Sequence, residues 1–245
     1  MIRIENIDVW GWEHAIRGMR NPMNSWEKSD SEYKRMCSSL GPNEAPHWCN
    51  HCGYDACDPF LYEEQFIIGP NDLDLMRKLF AAGTEHRKFM RQIFVSLDVT
   101  APLYLWKEMD TYKVGTVCNS CSTMHKIHAK EFVLDDFSHE HLLEDEAIEF
   151  MKHLVDGLNF YRKKFLETKD KVYWWQMIQL LPSSYNQRRT LTMNYEVAAT
   201  IIRQREGHKL DEWNEFVKVL KGLPYMAEIM GEMPGIHGYP DKRCQ

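Results

Sequence analysis

The residues from 91 to 105 place the tightest limit on the fold. Branched or leucine side chains occupy every second position in part of this segment: Ile93, Val95, Leu97 and Val99. Strict alternation of this kind predicts a β-strand. Pro102 follows the alternation, and proline fits the first turn of a helix. The segment therefore predicts a strand that leads into a helix.

Helical spacing of apolar residues dominates the remainder of the chain. It predicts helices over Glu13–Arg20, from Asn71 to Gly83, and over Leu142–Leu166, Tyr173–Leu181, Leu191–Gln204 and Leu210–Lys221. Asn71 is the predicted N-cap of the second helix. A further strand is predicted over Ile2–Trp10. Because strands are few and helices many, the predicted fold class is α+β, with residues 1–245 forming a single domain.

Residues 21–60 differ from the rest, since they hold four of the ten prolines and four of the seven cysteines. We predict an inserted or appended, loop-rich lobe here. It contains a run of metal-ligand residue types: His47, Cys49, His51, Cys52 and Cys57. The pairs Cys49/Cys52 and Cys118/Cys121 both have the C-x2-C spacing of zinc sites. Because such loops also occur without metal, and because the two pairs lie far apart in sequence, we assign no metal ligands.

Charge and hydropathy limit the classes of partner. The chain has 30 Lys and Arg against 36 Asp and Glu, a net charge of -6. This balance disfavours non-specific binding of a nucleic acid polymer, which needs a cationic surface. No apolar run approaches the roughly 18 residues that span a bilayer, and the charged N-terminal segment lacks the apolar stretch of a signal peptide. We therefore expect a cytoplasmic protein that does not enter a membrane.

Two segments carry side chains suited to small ligands. In the first, four arginines lie within 18 residues: Arg188, Arg189, Arg203 and Arg205. A guanidinium beside an amide such as that of Asn194 can hold a phosphate or the edge of a pyrimidine, although each arginine alone also fits a solvated helix face. The second segment, residues 111–126, is rich in hydroxyls and thiols and follows an apolar stretch. It fits either a ligand-binding loop or a capped turn.

These segments, taken in order, resemble the flavin-dependent thymidylate synthases, the ThyX family. Ala101-Pro102 stands in the place of an apolar family segment, and the family signature Arg-His-Arg-x-x-Ser-x4-Ser-x-Arg falls on residues 111–123. Gly83 to His86 resembles the segment that carries a flavin-contacting histidine. Leu181-Pro182, Asn194 and Arg205 match the spacing of late family residues, and residues 7–11 resemble the first strand and turn.

The resemblance implies a ThyX-like mixed sheet with flanking helices, assembled as a homotetramer with active sites at subunit junctions. It also implies reductive C5 methylation of dUMP with FAD as cofactor, methylene-tetrahydrofolate as carbon donor and NADPH as reductant. The implied flavin-binding residues are His86, Tyr112, Lys113, Thr116 and Asn194. The nucleotide-binding candidates are Glu108, Ser120, Cys121, Ser122, Arg188 and Arg205. Arg205 is also the catalytic candidate, since a cation near a pyrimidine carbonyl stabilises charge that develops on the ring.

The chain departs from the family at its phosphate-binding arginines. Thr123 stands at the last signature arginine, and Ile178 stands at a second one. Arg188 is offered as a substitute, although it does not occupy a matching position. Two alternatives therefore stay open: a diverged enzyme that modifies another pyrimidine nucleotide, and a non-catalytic module that binds flavin or nucleotide.

Overall fold

A computed structural model of the chain describes residues 2–37 and 62–231. Its strands are β1 (Arg3–Trp10), β2 (Glu32–Cys37), β3 (Tyr62–Ile67), β4 (Phe94–Pro102), β5 (Thr116–Ser120) and β6 (Asn186–Asn194). Its helices are α1 (Trp12–Arg20), α2 (Pro70–Ala81), α3 (Leu103–Met109), α4 (Asp145–Thr168), α5 (Lys171–Leu180), α6 (Tyr195–Arg205), α7 (Asp211–Lys221) and α8 (Met226–Met230). The predicted α+β class is confirmed. The Cys/His run at 47–57 lies outside the described residues.

The chain divides into two compact units. The first comprises Met1–Asp8, Val95–Met193 and Arg205–Phe216. The second comprises Val9–Phe94, Asn194–Gln204 and Val217–Gln245. The single-domain organisation of the chain stays a prediction.

A four-stranded sheet in the order β1-β4-β6-β5 belongs mostly to the first unit. Only Val9 and Trp10 of β1, Phe94 of β4 and Asn194 of β6 are assigned to the second unit. On β4, the side chains of Val95, Leu97, Val99 and Ala101 are buried, and those between them are half-buried. The alternating apolar residues in the sequence therefore form the buried face of this strand, and the predicted strand is confirmed. Pro102 ends β4 and serves as the N-cap residue of α3.

Strand β5 forms one edge of the sheet. It pairs antiparallel with β6, from Thr116 opposite Met193 to Ser120 opposite Arg189. All of its side chains except Thr116 are exposed. The polar segment at 111–126 is therefore built around an edge strand.

Helices α4 and α5 enclose a second apolar cluster in the first unit. Its buried members are Ile127, Phe132, Phe137, Val155, Leu158 and Met177. Asn159 of α4 fixes the loop beside it, because its amide both donates to the Phe132 carbonyl and accepts from the Phe132 N–H, at 2.8 and 2.9 Å. Both helices begin and end within three residues of their predicted bounds.

In the second unit, α2 begins on a cap that the sequence did not indicate. The helix starts at Pro70, and Asn71 lies in its first turn, so the predicted Asn71 N-cap is wrong. The carboxylate of Asp30 accepts hydrogen bonds from the N–H groups of Asn71 and Asp72, at 2.9 and 3.1 Å. It thereby satisfies two of the donors that every helix leaves free at its start.

Asp72 is the centre of a buried network in the same unit. Arg20 contacts its Oδ1 through two nitrogens at 2.6 Å. Its Oδ2 accepts from the hydroxyls of Ser29 and Ser31 and from the N–H groups of Asp30 and Ser31, at 2.6 to 3.2 Å. Residues 29–31, from the predicted lobe, are therefore fastened to α2. Farther along, β2 and β3 pair antiparallel from Glu32 opposite Ile67 to Cys37 opposite Tyr62.

The helix predicted over Leu191–Gln204 is wrong in its first part. Residues 186–194 form strand β6, and α6 begins only at Tyr195. Asn194 therefore ends a strand and does not share a helix face with Ile201 and Arg205. The side chain of Asn194 caps α6, since its Oδ1 accepts from the Val197 N–H at 3.0 Å.

Candidate active site

Arg205 lies at the centre of a polar and aromatic cluster in the first unit. Its Nη1 donates to Oε2 of Glu108 at 2.7 Å, and its Nε donates to the Tyr112 hydroxyl at 2.9 Å. The guanidinium carbon lies 4.6 Å from the ring centroid of Trp213 and 5.6 Å from that of Tyr112. Cations are stabilised on aromatic faces of this kind. Two residues from the flavin and nucleotide candidate sets, Tyr112 and Glu108, therefore meet at the catalytic candidate.

Three local turns bring these residues together. Glu108 lies near the end of α3, and Tyr112 follows in a turn closed by its N–H donating to the Met109 carbonyl. Arg205 is the last residue of α6. Gly207, with φ +69°, allows the chain to reverse after it, since a side chain would be strained there. Trp213 lies in the first turn of α7.

Glu108 is held by a second donor, and α3 is fixed to α7. The Trp213 indole N–H donates to Oε2 of Glu108 at 2.9 Å, so this oxygen serves both the indole and Arg205. The Tyr104 hydroxyl donates to Glu212, one residue before Trp213. Burial and the Glu212 carboxylate raise the pKa of Tyr104, which keeps its hydroxyl protonated as a donor. The geometry of Glu108 is therefore set from two helices.

His208 completes the cluster in a defined tautomer. Its Nδ1 accepts from the Leu210 N–H at 3.2 Å, so the proton of the neutral ring lies on Nε2. That nitrogen is 3.6 Å from Oε2 of Glu108 and 3.3 Å from Nη1 of Arg205. Nε2 of His208 therefore lies beside both members of the Arg205–Glu108 pair.

The predicted flavin residues Lys113 and Thr116 flank the start of the edge strand. Thr116 donates its N–H to the Lys113 carbonyl, closing a turn at 113–116. The Lys113 side chain is exposed. The Thr116 Oγ1 is buried and, among the described residues, has no hydrogen-bond partner. A buried hydroxyl without a partner is uncommon in folded proteins and indicates an open position for a donor or acceptor.

Arg188 is engaged by carboxylates. It contacts Oδ2 of Asp98 at 2.8 Å and Glu5 at 3.4 Å. Hydrogen bonds from Thr190 and Asn6, and the hydrogen bond and charge of Arg188, lower the pKa of Asp98 well below its usual range. Any phosphate bound by Arg188 would compete with two carboxylates. Its assignment to the nucleotide stays a prediction.

The cysteines and serines after β5 lie on the surface of the first unit. Cys118 and Cys121 are both exposed free thiols. The backbone of Cys121 is fixed on both sides, since its N–H donates to the Arg188 carbonyl at 2.9 Å and its carbonyl accepts from Gln187 Nε2 at 2.6 Å. Ser120 ends β5 with an exposed side chain. The Ser122 hydroxyl accepts from the N–H groups of residues 124 and 125, so it caps a turn.

His86 and Asn194, the other flavin candidates, belong to the second unit. His86 lies in an exposed turn in which its N–H donates to the Gly83 carbonyl at 3.0 Å. The next residue, Arg87, forms a buried pair with Glu196, donating from Nε and Nη2 to Oε1 at 3.1 and 2.9 Å. Glu196 lies in the first turn of α6, directly after Asn194. The structure thus anchors the His86 turn to the helix that Asn194 caps.

Some residues that shape the site were not anticipated from the sequence. Asp98, which binds Arg188 at 2.8 Å, and Asp110, which binds Arg189 at 2.7 Å, belong to none of the predicted sites. The signal was weak, because the partners of both lie more than 75 residues away. Within residues 2–37 and 62–231, no group of three or more His, Cys, Asp or Glu side chains could hold a metal ion. In the same ranges, no helix has the length and apolarity to cross a bilayer.

Comparison with known proteins places this architecture in one structural class. No family model matches the chain, and no curated protein matches it by sequence. Solved structures do match, and they share the fold of the flavin-dependent thymidylate synthases. The fold expected from the resemblance is therefore confirmed.

Two of these structures define the likeness. Thymidylate synthase X from Helicobacter pylori, solved with FAD and dUMP, matches with a TM-score of 0.59 and 13% identity, covering 94% of this chain and 97% of its own. The UMP/dUMP methylase PolB from Streptomyces cacaoi, bound with 5-Br dUMP, matches with a TM-score of 0.58 and 11% identity, covering 94% and 92%. At such identities the likeness establishes the fold, and the chemistry must be argued from this chain's own residues.

Proposed function

We propose that this protein is a flavin-dependent enzyme that methylates C5 of a uracil deoxynucleotide, dUMP, with methylene-tetrahydrofolate as carbon donor and NADPH as reductant. Solved proteins of the same fold bind FAD and dUMP, which supports the assignment. The observation that carries it is the environment of Arg205. This guanidinium is oriented by Glu108 and Tyr112 and lies against two aromatic rings.

Arg205 suits the electronic demand of methylation at C5. Making C5 nucleophilic moves negative charge onto the pyrimidine carbonyl oxygens, and a donor already aimed at that charge lowers the barrier. Glu108 and Tyr112 hold Nη1 and Nε, so the direction of the guanidinium is fixed before a substrate arrives. The rings of Trp213 and Tyr112 lie beside the cation. Arg205 would then stabilise the developing charge, while Glu108 positions Arg205.

Each of the other flavin candidates offers a group that a flavin dinucleotide could use: Lys113 and Thr116 in the first unit, and His86 and Asn194 in the second. Lys113 offers an exposed ammonium for a diphosphate, and Thr116 offers a buried hydroxyl with no partner among the described residues. His86 offers an exposed imidazole. Asn194 has its Oδ1 engaged in capping α6, so its amide nitrogen would make the contact. When bound, FAD supplies the hydride that completes the methyl group.

The proposed function also includes an oligomeric state and a source of electrons. We expect a homotetramer whose subunits combine the flavin and nucleotide residues, and NADPH as the source of electrons for the flavin. Light scattering coupled to size-exclusion chromatography measures the first. Loss of flavin absorbance on anaerobic addition of NADPH measures the second.

The decisive experiment uses the purified full-length protein. It should bind FAD in a spectroscopic titration and convert dUMP to dTMP when methylene-tetrahydrofolate and NADPH are added, with the product identified by mass spectrometry. Omission of each component in turn is the control. If the protein binds no FAD and forms no product, the proposed activity is wrong, and a non-catalytic nucleotide-binding module replaces it.

A second candidate is the same reaction on another pyrimidine nucleotide. It is favoured by Thr123 and Ile178, which replace phosphate-binding arginines of the resembled family, and by the carboxylates that engage Arg188 and Arg189. The matching PolB is a UMP/dUMP methylase, so a ribose substrate is the first to compare. Competition between dUMP, UMP and dCMP in one reaction mixture ranks the three by kcat/KM. A preference for UMP or dCMP would replace dUMP in the proposal.

A further inference from the structure

A cluster of basic groups lies in the first unit, just beyond the predicted nucleotide segment. Lys126 and His128 belong to a turn in which the Ala129 N–H donates to the Lys126 carbonyl at 2.9 Å. Arg162 of α4 donates from Nε to the His128 carbonyl at 3.0 Å. The His128 ring packs edge-on against Phe165, at 4.8 Å between centroids, and the Lys169 ammonium lies 5.9 Å from the same Phe165 ring. Arg162 and Lys169 therefore lie beside the turn that carries both His128 and Lys126.

The imidazole of His128 has an unused position. Its Nδ1 is buried and has no hydrogen-bond partner among the described residues. Burial and the charges of Lys169, Lys126 and Arg162 lower the pKa of His128, which favours the neutral ring. An orphaned buried nitrogen indicates a missing partner, because native structures leave few such groups unsatisfied.

Helix geometry explains part of the cluster. Lys169 follows the last turn of α4, where cations interact favourably with the helix dipole. This does not account for Lys126 or His128, which lie on a separate turn. Among the described residues, Lys126, Arg162 and Lys169 form no ion pair with a carboxylate, so a bound anion would relieve the repulsion between their charges.

We propose that Lys126, His128, Arg162 and Lys169 form an oxyanion-binding subsite, and that its ligand is a phosphoryl group. Arg162 has one nitrogen engaged by the His128 carbonyl, and its terminal nitrogens suit the oxygens of phosphate. His128 would take up a proton as the anion binds and would then donate from Nδ1. The lysines add charge without fixing direction.

The position of the subsite points to the phosphate of the nucleotide, and this source rests on the proposed function. The segment between the candidates Cys121 and Ser122 and the subsite is short and held in place. The Ser122 hydroxyl caps the turn at 124–125, and the Trp174 indole donates to the Met124 carbonyl at 2.9 Å. The subsite would then supply cations that Thr123 and Ile178 do not.

The experiment follows the ring signals of His128 by NMR during titration of the full-length protein. Inorganic phosphate and dUMP should both move these signals and raise the pKa of His128, whereas deoxyuridine should leave that pKa unchanged. His128→Gln identifies the signals. Arg162→Gln should weaken phosphate binding about tenfold, and Lys169→Gln gives a second test should the first variant fold poorly. Lys163→Gln, an exposed cation on the same helix, is the matched control and should bind phosphate normally.

The outcomes separate the subsite from the proposed activity. If His128 does not respond to phosphate or dUMP in a protein that methylates dUMP, the subsite is wrong and the activity stands. If phosphate binds in an Arg162-dependent way but dUMP does not compete, the oxyanion subsite stands and the nucleotide is not its source. If Lys163→Gln weakens binding as much as Arg162→Gln, the effect is one of general surface charge and the proposal fails.

Discussion

Two arginine–carboxylate pairs of nearly equal length serve different ends in this protein. The Arg20–Asp72 contact measures 2.6 Å and the Arg205–Glu108 contact 2.7 Å. The side chains of Arg20 and Asp72 are 5% and 0% exposed, whereas those of Arg205 and Glu108 are 19% and 36% exposed. The distance between the charges therefore does not distinguish the pairs, but their access to solvent does.

The surroundings of the two carboxylates differ in the same sense. Asp72 accepts from six donors that occupy both of its oxygens, so the pair has no capacity for an outside group. Among the described residues, the side-chain contacts of Glu108 all fall on one oxygen, Oε2, and aromatic rings flank its arginine. A saturated, buried pair stabilises a fold, whereas a half-buried pair with aromatic neighbours can take part in binding a ligand.

The largest expected effect is on stability, from Asp72→Asn. Loss of the charge leaves Arg20 buried without a counter-ion, which typically costs about 3–5 kcal/mol. The free energy of unfolding from urea denaturation measures it. Asp74→Asn, on the same helix in an exposed pair with Lys78, should change this value by less than about 0.5 kcal/mol. Equal effects for the two variants would contradict the structural role of Asp72.

Arg205→Ala should show the opposite profile. We expect a fall in kcat of about 10²- to 10³-fold, the usual effect of removing a donor to developing charge, with FAD binding retained. The free energy of unfolding should change by only about 1–2 kcal/mol, since water can solvate the half-exposed Glu108. Lys209→Gln, a nearby exposed cation, is the control for charge. Activity retained in Arg205→Ala would make the pair a surface contact.

The dependence of stability on pH should also separate the pairs. Burial alone would raise the pKa of Asp72, but hydrogen bonds from Ser31, Ser29 and Arg20 and the Arg20 charge outweigh it and lower the pKa. A lowered folded-state pKa gives stability that is fully present above the unfolded value of about 3.9 and lost as pH falls through the folded value. The stability difference between wild type and Asp72→Asn should therefore shrink below about pH 4. If the difference in unfolding free energy between wild type and Asp72→Asn stayed constant down to the acid transition, the charge of Asp72 would not be what stabilises the fold.

A smaller effect is expected from the flavin candidates that lie outside both pairs. Lys113→Ala should weaken FAD binding about tenfold, because one charge-assisted contact to a diphosphate is lost. His86→Ala should weaken it as well. Lys107→Ala, an exposed lysine of α3, is the control in the same fluorescence titration. Unchanged affinity in both candidate variants would remove them from the flavin site.

The smallest expected effect is that of Cys121→Ser, which should change kcat/KM by less than about twofold. The backbone of Cys121 is held by Arg188 and Gln187, and its thiol is exposed, so a hydroxyl of similar size fits the same place. A folded but inactive Cys121→Ser protein would instead give the thiol a chemical role.

A similar contrast, between buried and exposed elements, explains which parts of the fold could be predicted from the sequence. Strand β4 was predicted because its buried face imposes an alternation, and the long helix α4 because its apolar residues follow a helical period. The edge strand β5 was missed, since its exposed side chains show no period. The end of strand β6 was wrongly predicted as the start of a helix, because the apolar residues on both sides of Asn194 resemble a single helical pattern.

The site was predicted in its parts but not in its contacts. Resemblance to the ThyX family indicated Arg205, Tyr112 and Glu108 as separate positions. Their meeting with Trp213 joins residues about a hundred positions apart, and no local pattern encodes such a pair. Asp72 had the same difficulty, since its serine partners precede it by more than 40 residues and it looks like an ordinary polar position of a helix.

The pairing of β2 with β3 also indicates where the chain could accept an insertion or deletion. Residues Cys37 and Tyr62 pair across the two strands, so the described chain on either side of residues 38–61 ends at neighbouring points. A two-residue turn could join them without altering the register, and so could a segment of any length. We therefore expect that deletion or exchange of residues 38–61 would leave the pairing of β2 with β3 and the hydrogen bonds from Ser29 and Ser31 to Asp72 in place.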